Sequence, residues 1–424
     1  MKKVVVFGPG PRFKGGIANY NTSLAKAFDK AGVEVHIVSW TQQYPAIIPR
    51  DFIDRKSRKD QLEGTGIKVH YITNYNKPGT WAKTSRLIRE IAPDVAIFQW
   101  SISIQGLPLG RIIKRLKNYG VPTVIDMHFV VQKENSNIDR KFKKMGVKRA
   151  DMYVVHAMKT ADELKQLFPE RSFEIIMPGQ KPTNDSTRVL KLYHPVYDMF
   201  KPDPQFDVEK AKQEMKLRKN VFLFFGFIRK YKGLHNVIKA FKVVADKRDD
   251  VSLVIVGESF WNTLDKKKFS TRLKSATFGV AKKIFLSKQD DEKNYRPIDL
   301  VKELQLEDSV YVFNDFVPNE DVHKYFQVSD NLMLYYLTAT PSGVESIGYN
   351  FRMPMLATRV GHFPETVKDG FNGYLAEPND IESMAGAMIK AIEQPIPREN
   401  VAATSAEMSW TNYAAEIMRV AGRR

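Results

Sequence analysis

There is no cysteine among the 424 residues. That excludes disulfide staples, thiolate zinc clusters and thiol nucleophiles, and it fits a reducing compartment such as the cytosol. No apolar run approaches the roughly 20 residues of a membrane-spanning helix. The run Val4-Val5-Val6-Phe7 is too short for a signal-peptide core and leads into Gly8, so it reads as a first strand. No Asp-x-Asp pair stands at a plausible strand end; Asp290-Asp291-Glu292 lies in a basic insertion and reads as solvated, so no metal dependence is expected. Repeats of fixed period and low-complexity tracts are missing too. Acidic residues are in deficit, 48 against 66 Lys and Arg, for a formal charge of +18. Such a surface calls for an anionic partner: nucleic acid, phosphorylated lipid or a phosphate-bearing substrate.

What is present is globular in kind, with 43% hydrophobic and 27% charged residues. The length favours two domains over one core. Short apolar strands alternate with helical patterns throughout. The first series has strands at Lys3–Phe7, Val33–Ser39, Ile67–Ile72, Val95–Gln99, Thr123–Met127 and Met152–Val155, with helices such as Ile17–Ala31 and Gly110–Tyr119. The proline-rich stretch from His194 to Pro204 reads as a linker. A second series follows: strand Val221–Phe225, helix Gly233–Ala245, strands Ser252–Val256 and Val310–Phe313, helix Asn319–Val328, strands Asn331–Tyr335 and Met355–Thr358, then helices Ile381–Glu393 and Thr411–Val420. This rhythm predicts parallel, doubly wound sheets covered on both faces.

An insertion at about 261–296 interrupts the second series. Between Asn262 and Lys288 it holds eight basic residues and one acidic residue, with Phe269, Leu273, Val280 and Ile284 near helical spacing. It reads either as a basic amphipathic helix for an anionic membrane surface or as a solvated insertion packing its stripe on its own domain.

Three loops could hold phosphate. Gly15 and Gly16 follow the first strand and open a helix, a weak signal because a tight βα turn needs glycine anyway. A dinucleotide site would add a carboxylate at the end of the second strand; His36-Ile37-Val38-Ser39-Trp40 has none, which argues against NAD. Phe225-Gly226-Phe227-Ile228-Arg229-Lys230-Tyr231-Lys232-Gly233-Leu234 places a guanidinium and an ammonium beside a helix start, suited to a diphosphate. Thr340, Ser342, Gly343 and Val344 form a hydroxyl-rich loop opening another helix, whose N–H groups and dipole suit an anion.

Taken with Val254-Ile255-Val256-Gly257-Glu258, Val317-Pro318-Asn319-Glu320 and Arg359-Val360-Gly361-His362-Phe363-Pro364-Glu365-Thr366-Val367, these strings closely resemble glycosyltransferase family 4. The match is dense across the C-terminal half and looser in the N-terminal half, through Gly15-Gly16 and Asp126-Met127-His128. The resemblance implies an α/β GT-B fold: two Rossmann-like domains facing each other across a cleft, with a C-terminal helix returning to the first. The expected bounds are an acceptor domain at 1–197, a donor domain at 205–405 and the returning helix at 406–424. It implies a retaining transferase whose donor is a nucleoside-diphosphate sugar. Arg229 and Lys232 would grip the diphosphate, Ser342, Gly343 and Val344 would cap it with Thr340 beside them, and Gly16 would approach the donor phosphate. His128 would sit near the donor sugar, although a histidine at a strand end can be merely structural. Glu258 would contact the nucleoside or else cap its strand.

The family commonly carries a glutamate pair where this chain has Ala339 and Ile347. Glu345 is the candidate replacement; the alternative is a first-turn carboxylate favourable to the helix dipole. Basic runs at Arg111, Lys114, Arg115 and Lys117, and at Arg140, Lys141, Lys143 and Lys144, suggest a phosphate-bearing acceptor, such as a lipid-linked saccharide or cell-surface glycan precursor. No cofactor beyond the donor substrate is expected, and the location expected is the cytoplasm, with peripheral contact at the inner face of the plasma membrane. Two other readings stay open: a nucleotide-sugar 2-epimerase on the same fold, and a non-catalytic nucleotide-sugar-binding scaffold. Nucleic-acid binding is not expected, since the basic residues are scattered through an enzyme-like pattern with no recognition module.

Overall fold

The structure is a computed structural model that describes residues 1–44, 53–54, 60–128, 137–196, 200–259, 295–339 and 343–422. The chain divides into two compact units. Unit 1 comprises Met1–Pro195 with Met408–Arg424, and unit 2 comprises Val196–Glu407.

In unit 1, strands β1 (Lys3–Phe7), β2 (Glu34–Gln42), β3 (Lys68–Asn74), β4 (Val95–Trp100), β5 (Thr123–Met127), β6 (Met152–Val155), β7 (Phe173–Ile176) and β8 (Thr187–Lys191) form one sheet ordered β3-β2-β1-β4-β5-β6-β8-β7. Every pairing given for it is parallel, for instance Val5 with His36 and Ile97 with Val124. Helices α1 (Gly16–Lys30), α2 (Pro78–Ile91), α3 (Gly106–Asn118), α4 (Asn137–Val147) and α5 (Met158–Leu167) make the crossovers. Because both faces are covered, β1 carries an unbroken apolar run: Val4, Val5, Val6 and Phe7 are fully buried. The Phe7 ring meets those of Trp40 and Phe98, each at 5.1 Å.

In unit 2, β9 (Asn220–Phe225), β10 (Val251–Val256), β11 (Val310–Phe313), β12 (Asn331–Leu334), β13 (Met355–Thr358) and β14 (Gly373–Ala376) form a parallel sheet ordered β11-β10-β9-β12-β13-β14. Helix α6 (Val208–Glu214) precedes β9, and the 3-10 turn Lys230–Lys232 and the helix Leu234–Ala245 lie between β9 and β10. Both sheets contain the doubly wound order 3-2-1-4-5-6, whose ligand position is the carboxyl end of the strands where the order reverses. Those points are the exits of β1 and β9, where the glycine loop and the Arg229–Lys232 loop emerge.

The stretch read as a linker contains the division between the units, at Pro195–Val196, and its later residues are bound into unit 2. Gln327 donates to the Asp203 carbonyl and accepts the Asp203 N–H, both at 2.9 Å, and Asn350 donates to the Phe200 carbonyl. The predicted helix Asn319–Val328 is a 3-10 turn at Asn319–Asp321 followed by a helix at Val322–Gln327. The final helix, Trp410–Ala421, packs with α1 in unit 1. Arg188 donates to its Val420 carbonyl at 2.7 Å, and its Glu416 accepts the Gly179 N–H at 3.1 Å. Among the described residues no helix is long and apolar enough to cross a membrane.

Candidate functional site

In unit 2, β9 runs out into Gly226–Gly233. The Gly226 N–H donates to the Val256 carbonyl at 2.8 Å and the Ile228 N–H to the Glu258 carbonyl at 3.1 Å, fastening this exit to the end of β10. The Leu337 N–H donates to the Tyr231 carbonyl at 2.7 Å, tying it to the end of β12 as well. Gly233 takes a left-handed backbone (φ 67°), and an added Cβ would stand 2.0 Å from the Tyr335 carbonyl oxygen; only glycine meets both demands. The helix Leu234–Ala245 can therefore start directly behind the 3-10 turn Lys230–Lys232, which Arg229 precedes.

Lys232 is 6% exposed. Its Nζ lies 5.8 Å from the centre of the Tyr336 ring. A Cβ added to Gly226 would stand 2.8 Å from this Nζ and 3.1 Å from Val344 Cγ2, so the ammonium, the β9 exit and the first turn of the helix Gly343–Asn350 converge. Burial, helped by the like charge of Arg229, holds the Lys232 pKa down at about 7. A desolvated ammonium beside a guanidinium is stabilised by an incoming diphosphate, which restores its charge balance.

In unit 1, α1 opens at Gly15, whose φ of 106° suits glycine; an added Cβ would meet nothing, so the requirement is conformational. The first turn of α1 has no acidic residue and no side-chain cap, an end favourable to an anion. His128 follows β5. It is buried, and its Nε2 pairs with Gln99 Oε1 at 2.8 Å, while the edge of Tyr20 meets its ring at 4.6 Å. Burial pushes its pKa down to about 4, against the pull of Asp126, so it is neutral near pH 7.

Behind His128 lies a buried network. Asp126, fully buried, accepts from Tyr20 Oη at 2.9 Å and Tyr413 Oη at 3.0 Å, and pairs with His156 Nε2 at 3.1 Å. Burial works to raise its pKa, but the charge and bond of His156 and the Tyr20 bond outweigh it and hold the carboxylate below its ordinary value. His194 completes the group, its ring 5.0 Å from that of Tyr20, and burial together with His156 and His128 keeps it well below its ordinary pKa.

Two family matches divide the chain between them. Residues 14–180 match Glycosyltransferase Family 4, and residues 205–408 match Glycosyl transferases group 1. Both parts of the chain are thus glycosyltransferase domains. No curated protein sequence matches it. Among solved structures it is similar to Anabaena HepE in complex with UDP, at 16% identity over 98% of each chain with a TM-score of 0.67. It is similar also to sucrose-phosphate synthase from Thermosynechococcus elongatus, at 14% identity over 98% of this chain and 97% of that one, TM-score 0.64. A third is alpha,alpha-trehalose-phosphate synthase (UDP-forming) from Burkholderia xenovorans, at 11% identity over 99% of each chain, TM-score 0.63. At such identities the likeness speaks to the fold, which is GT-B.

Of the residues singled out in the sequence, this glycosyltransferase gathers Arg229, Lys232, Gly343 and Val344 at the end of β9. Glu258 sits half-buried just past β10. Gly15, Gly16 and His128 lie at the carboxyl edge of the first sheet. Thr340, Ser342 and nearly all of the basic insertion lie outside the described residues. Glu345 is placed differently from a ligand-facing carboxylate. It is buried and turned into its own unit, where it bonds His362 Nε2 and accepts from Thr366 Oγ1, bracing the segment after β13. Sequence reasoning misses Tyr20, His156, His194 and Tyr413. The available signal is Asp126 itself, a carboxylate in an otherwise apolar strand, which demands buried partners.

Proposed function

We propose that this protein transfers a sugar from a nucleoside-diphosphate donor to an acceptor hydroxyl, with retention of anomeric configuration and without a divalent metal. The observation that carries this reading is the buried Lys232 ammonium beside Arg229, at the switch point of a sheet that lies within a glycosyltransferase domain. In the proposed reaction these two cations meet the charge that grows on the departing diphosphate, taking the place of a metal. Retention follows from attack on the face the nucleotide leaves, with the leaving phosphate taking the acceptor proton; the enzyme contributes positioning and charge. His128, neutral near pH 7, offers a sugar hydroxyl a hydrogen bond rather than a charge.

For the donor, uridine nucleotides come first, since a structural relative is crystallised with UDP and with UDP-glucose. For the acceptor, the charge of +18 supports a phosphate-bearing lipid-linked or cell-surface glycan precursor, met in the cytoplasm at the inner face of the plasma membrane. The test is thermal stabilisation against a panel of nucleoside diphosphates and nucleotide sugars, with and without magnesium. Binding of one donor raises the melting temperature by mass action. A metal-independent rise for one base, lost in Lys232→Ala, is expected. No rise with any nucleotide overturns the reading.

A further inference from the structure

The crossover helix α4 carries a second concentration of positive charge. Arg140, Lys141 and Lys144 lie along it, and Lys148 and Arg149 follow its end. With Met145, Phe168 and Glu170 they line a groove of about 430 Å³. Five cations thus face one carboxylate. Lys143, of the same run, is buried and does not line the groove.

The groove is held in shape by what packs behind it. A Cβ on Gly106 or Gly110 of α3 would stand 2.1 Å from the carbonyl oxygens of Phe142 and Met145, so the two helix backbones touch. Gly146 lies against the Trp100 ring in the same way, at 2.5 Å. Arg171 pins the turn after α4, donating to the Lys148 carbonyl at 2.8 Å, to Tyr153 Oη at 2.9 Å and to Thr187 Oγ1 at 2.8 Å. Lys144 Nζ lies 5.8 Å from the centre of the buried Phe168 ring. One or two cations at this end of α4 would complement the helix dipole. Five, converging on a concave surface, exceed that need and create an anion-attracting field.

Its place in the fold separates it from the groups described above. His128 follows the carboxyl end of β5, whereas Lys148 and Arg149 precede the amino end of β6 and Glu170 that of β7. The groove runs along α4 away from His128, over roughly 16 Å for an 11-residue helix.

We propose that the α4 groove is a second anion site, taking a phosphate-bearing group: the headgroup of an anionic lipid or a soluble phosphorylated compound. Its volume falls in the range of small-ligand sites and exceeds what one inorganic phosphate fills. The site does not depend on the sugar-transfer reading.

The test uses the full chain carrying Lys232→Ala, which removes the phosphate grip of unit 2. One arm titrates inorganic pyrophosphate by calorimetry. The other floats the protein with phosphatidylglycerol vesicles and with phosphatidylcholine vesicles. Each arm compares Lys144→Glu/Lys148→Glu with Lys26→Glu/Lys83→Glu, which changes the net charge equally at exposed lysines of α1 and α2. Circular dichroism checks that the variants are folded, and Lys144→Gln/Lys148→Gln stands in for the first pair if it is not. Binding weakened at least tenfold by the groove pair and little changed by the control pair supports the site. A loss in the pyrophosphate arm identifies a soluble ligand as sufficient, and a loss confined to phosphatidylglycerol vesicles identifies the lipid headgroup. Absence of binding in both arms, or equal loss in both pairs, overturns it.

Discussion

Lys232→Met separates a buried charge from a merely basic loop. Moving the ammonium from its ordinary 10.5 down to about 7 corresponds to a cost of about 5 kcal/mol for the charged form in the folded chain. The folded chain holds this proton less tightly than the unfolded chain does. The penalty is therefore absent above pH 10.5, builds as the pH falls and is complete below about 7. Methionine keeps much of the volume and removes the charge, so the variant gains stability over the wild type as the pH is lowered through this window. From pH 9 to 7 the gap widens by about 2 kcal/mol, roughly 4–8 °C in Tm for a domain of about 200 residues. Thermal melts of both proteins from pH 6 to 10, without ligand, read it directly. A nucleoside diphosphate restores the proton, so wild-type binding near pH 8 takes up a proton, visible by calorimetry in buffers of different ionisation enthalpy. In the variant affinity falls by about 100-fold or more. A stability gap that does not change with pH, together with unimpaired nucleotide binding, refutes the reasoning.

Other consequences follow from the same structure. Asp126→Ala leaves Tyr20, Tyr413 and His156 without their common partner and is expected to destabilise unit 1 by about 3–5 kcal/mol in urea unfolding, with faster amide exchange along Trp410–Ala421. Acidification should weaken unit 1 through His128: the unfolded chain takes a proton below about pH 6.5 that the folded chain refuses until about 4, so stability is lost across that interval, by about 3 kcal/mol. His128→Gln should flatten this limb of the pH–stability curve. Glu345→Ala strands His362 and Thr366 and should lower stability by about 2–4 kcal/mol in denaturant melts; a loss of nucleotide affinity at unchanged stability would instead make the carboxylate a ligand. Gly233→Ala drives a Cβ into the Tyr335 carbonyl and should cost more than about 2 kcal/mol, measured by thermal melt.

Much of the fold is legible in the sequence because strands buried on both faces leave uniform apolar runs. Val4–Phe7 and Leu253–Val256 declare themselves in this way. The strands that escape notice do so for local reasons. Phe173–Ile176 and Thr187–Lys191 lie at one side of the first sheet and include polar or charged residues. Gly373–Ala376 is four residues long, begins with glycine and lies at the edge of the second sheet. The linker reading finds where the chain passes from one unit to the other, at Pro195–Val196, but proline content does not record that the backbone beyond is tied down, as Gln327 ties Asp203.

The sequence by itself determined the alternation of strands and helices, the two glycine-bearing exits and the Arg229–Lys232 pair, since these are local: spacing, backbone freedom and charge within a few residues. Tertiary structure alone decided what those residues experience. Lys232 loses its water because β9, Tyr336 and the helix at Gly343 close around it, and no local pattern records that burial. Asp126 is satisfied by Tyr20 and by Tyr413, 106 and 287 residues away along the chain, which meet only because the last helix packs with α1 in unit 1. Glu345 turns inward for the same reason: its partners come from the segment after the next strand, and buried partners, not position in the helix, settle where a carboxylate points.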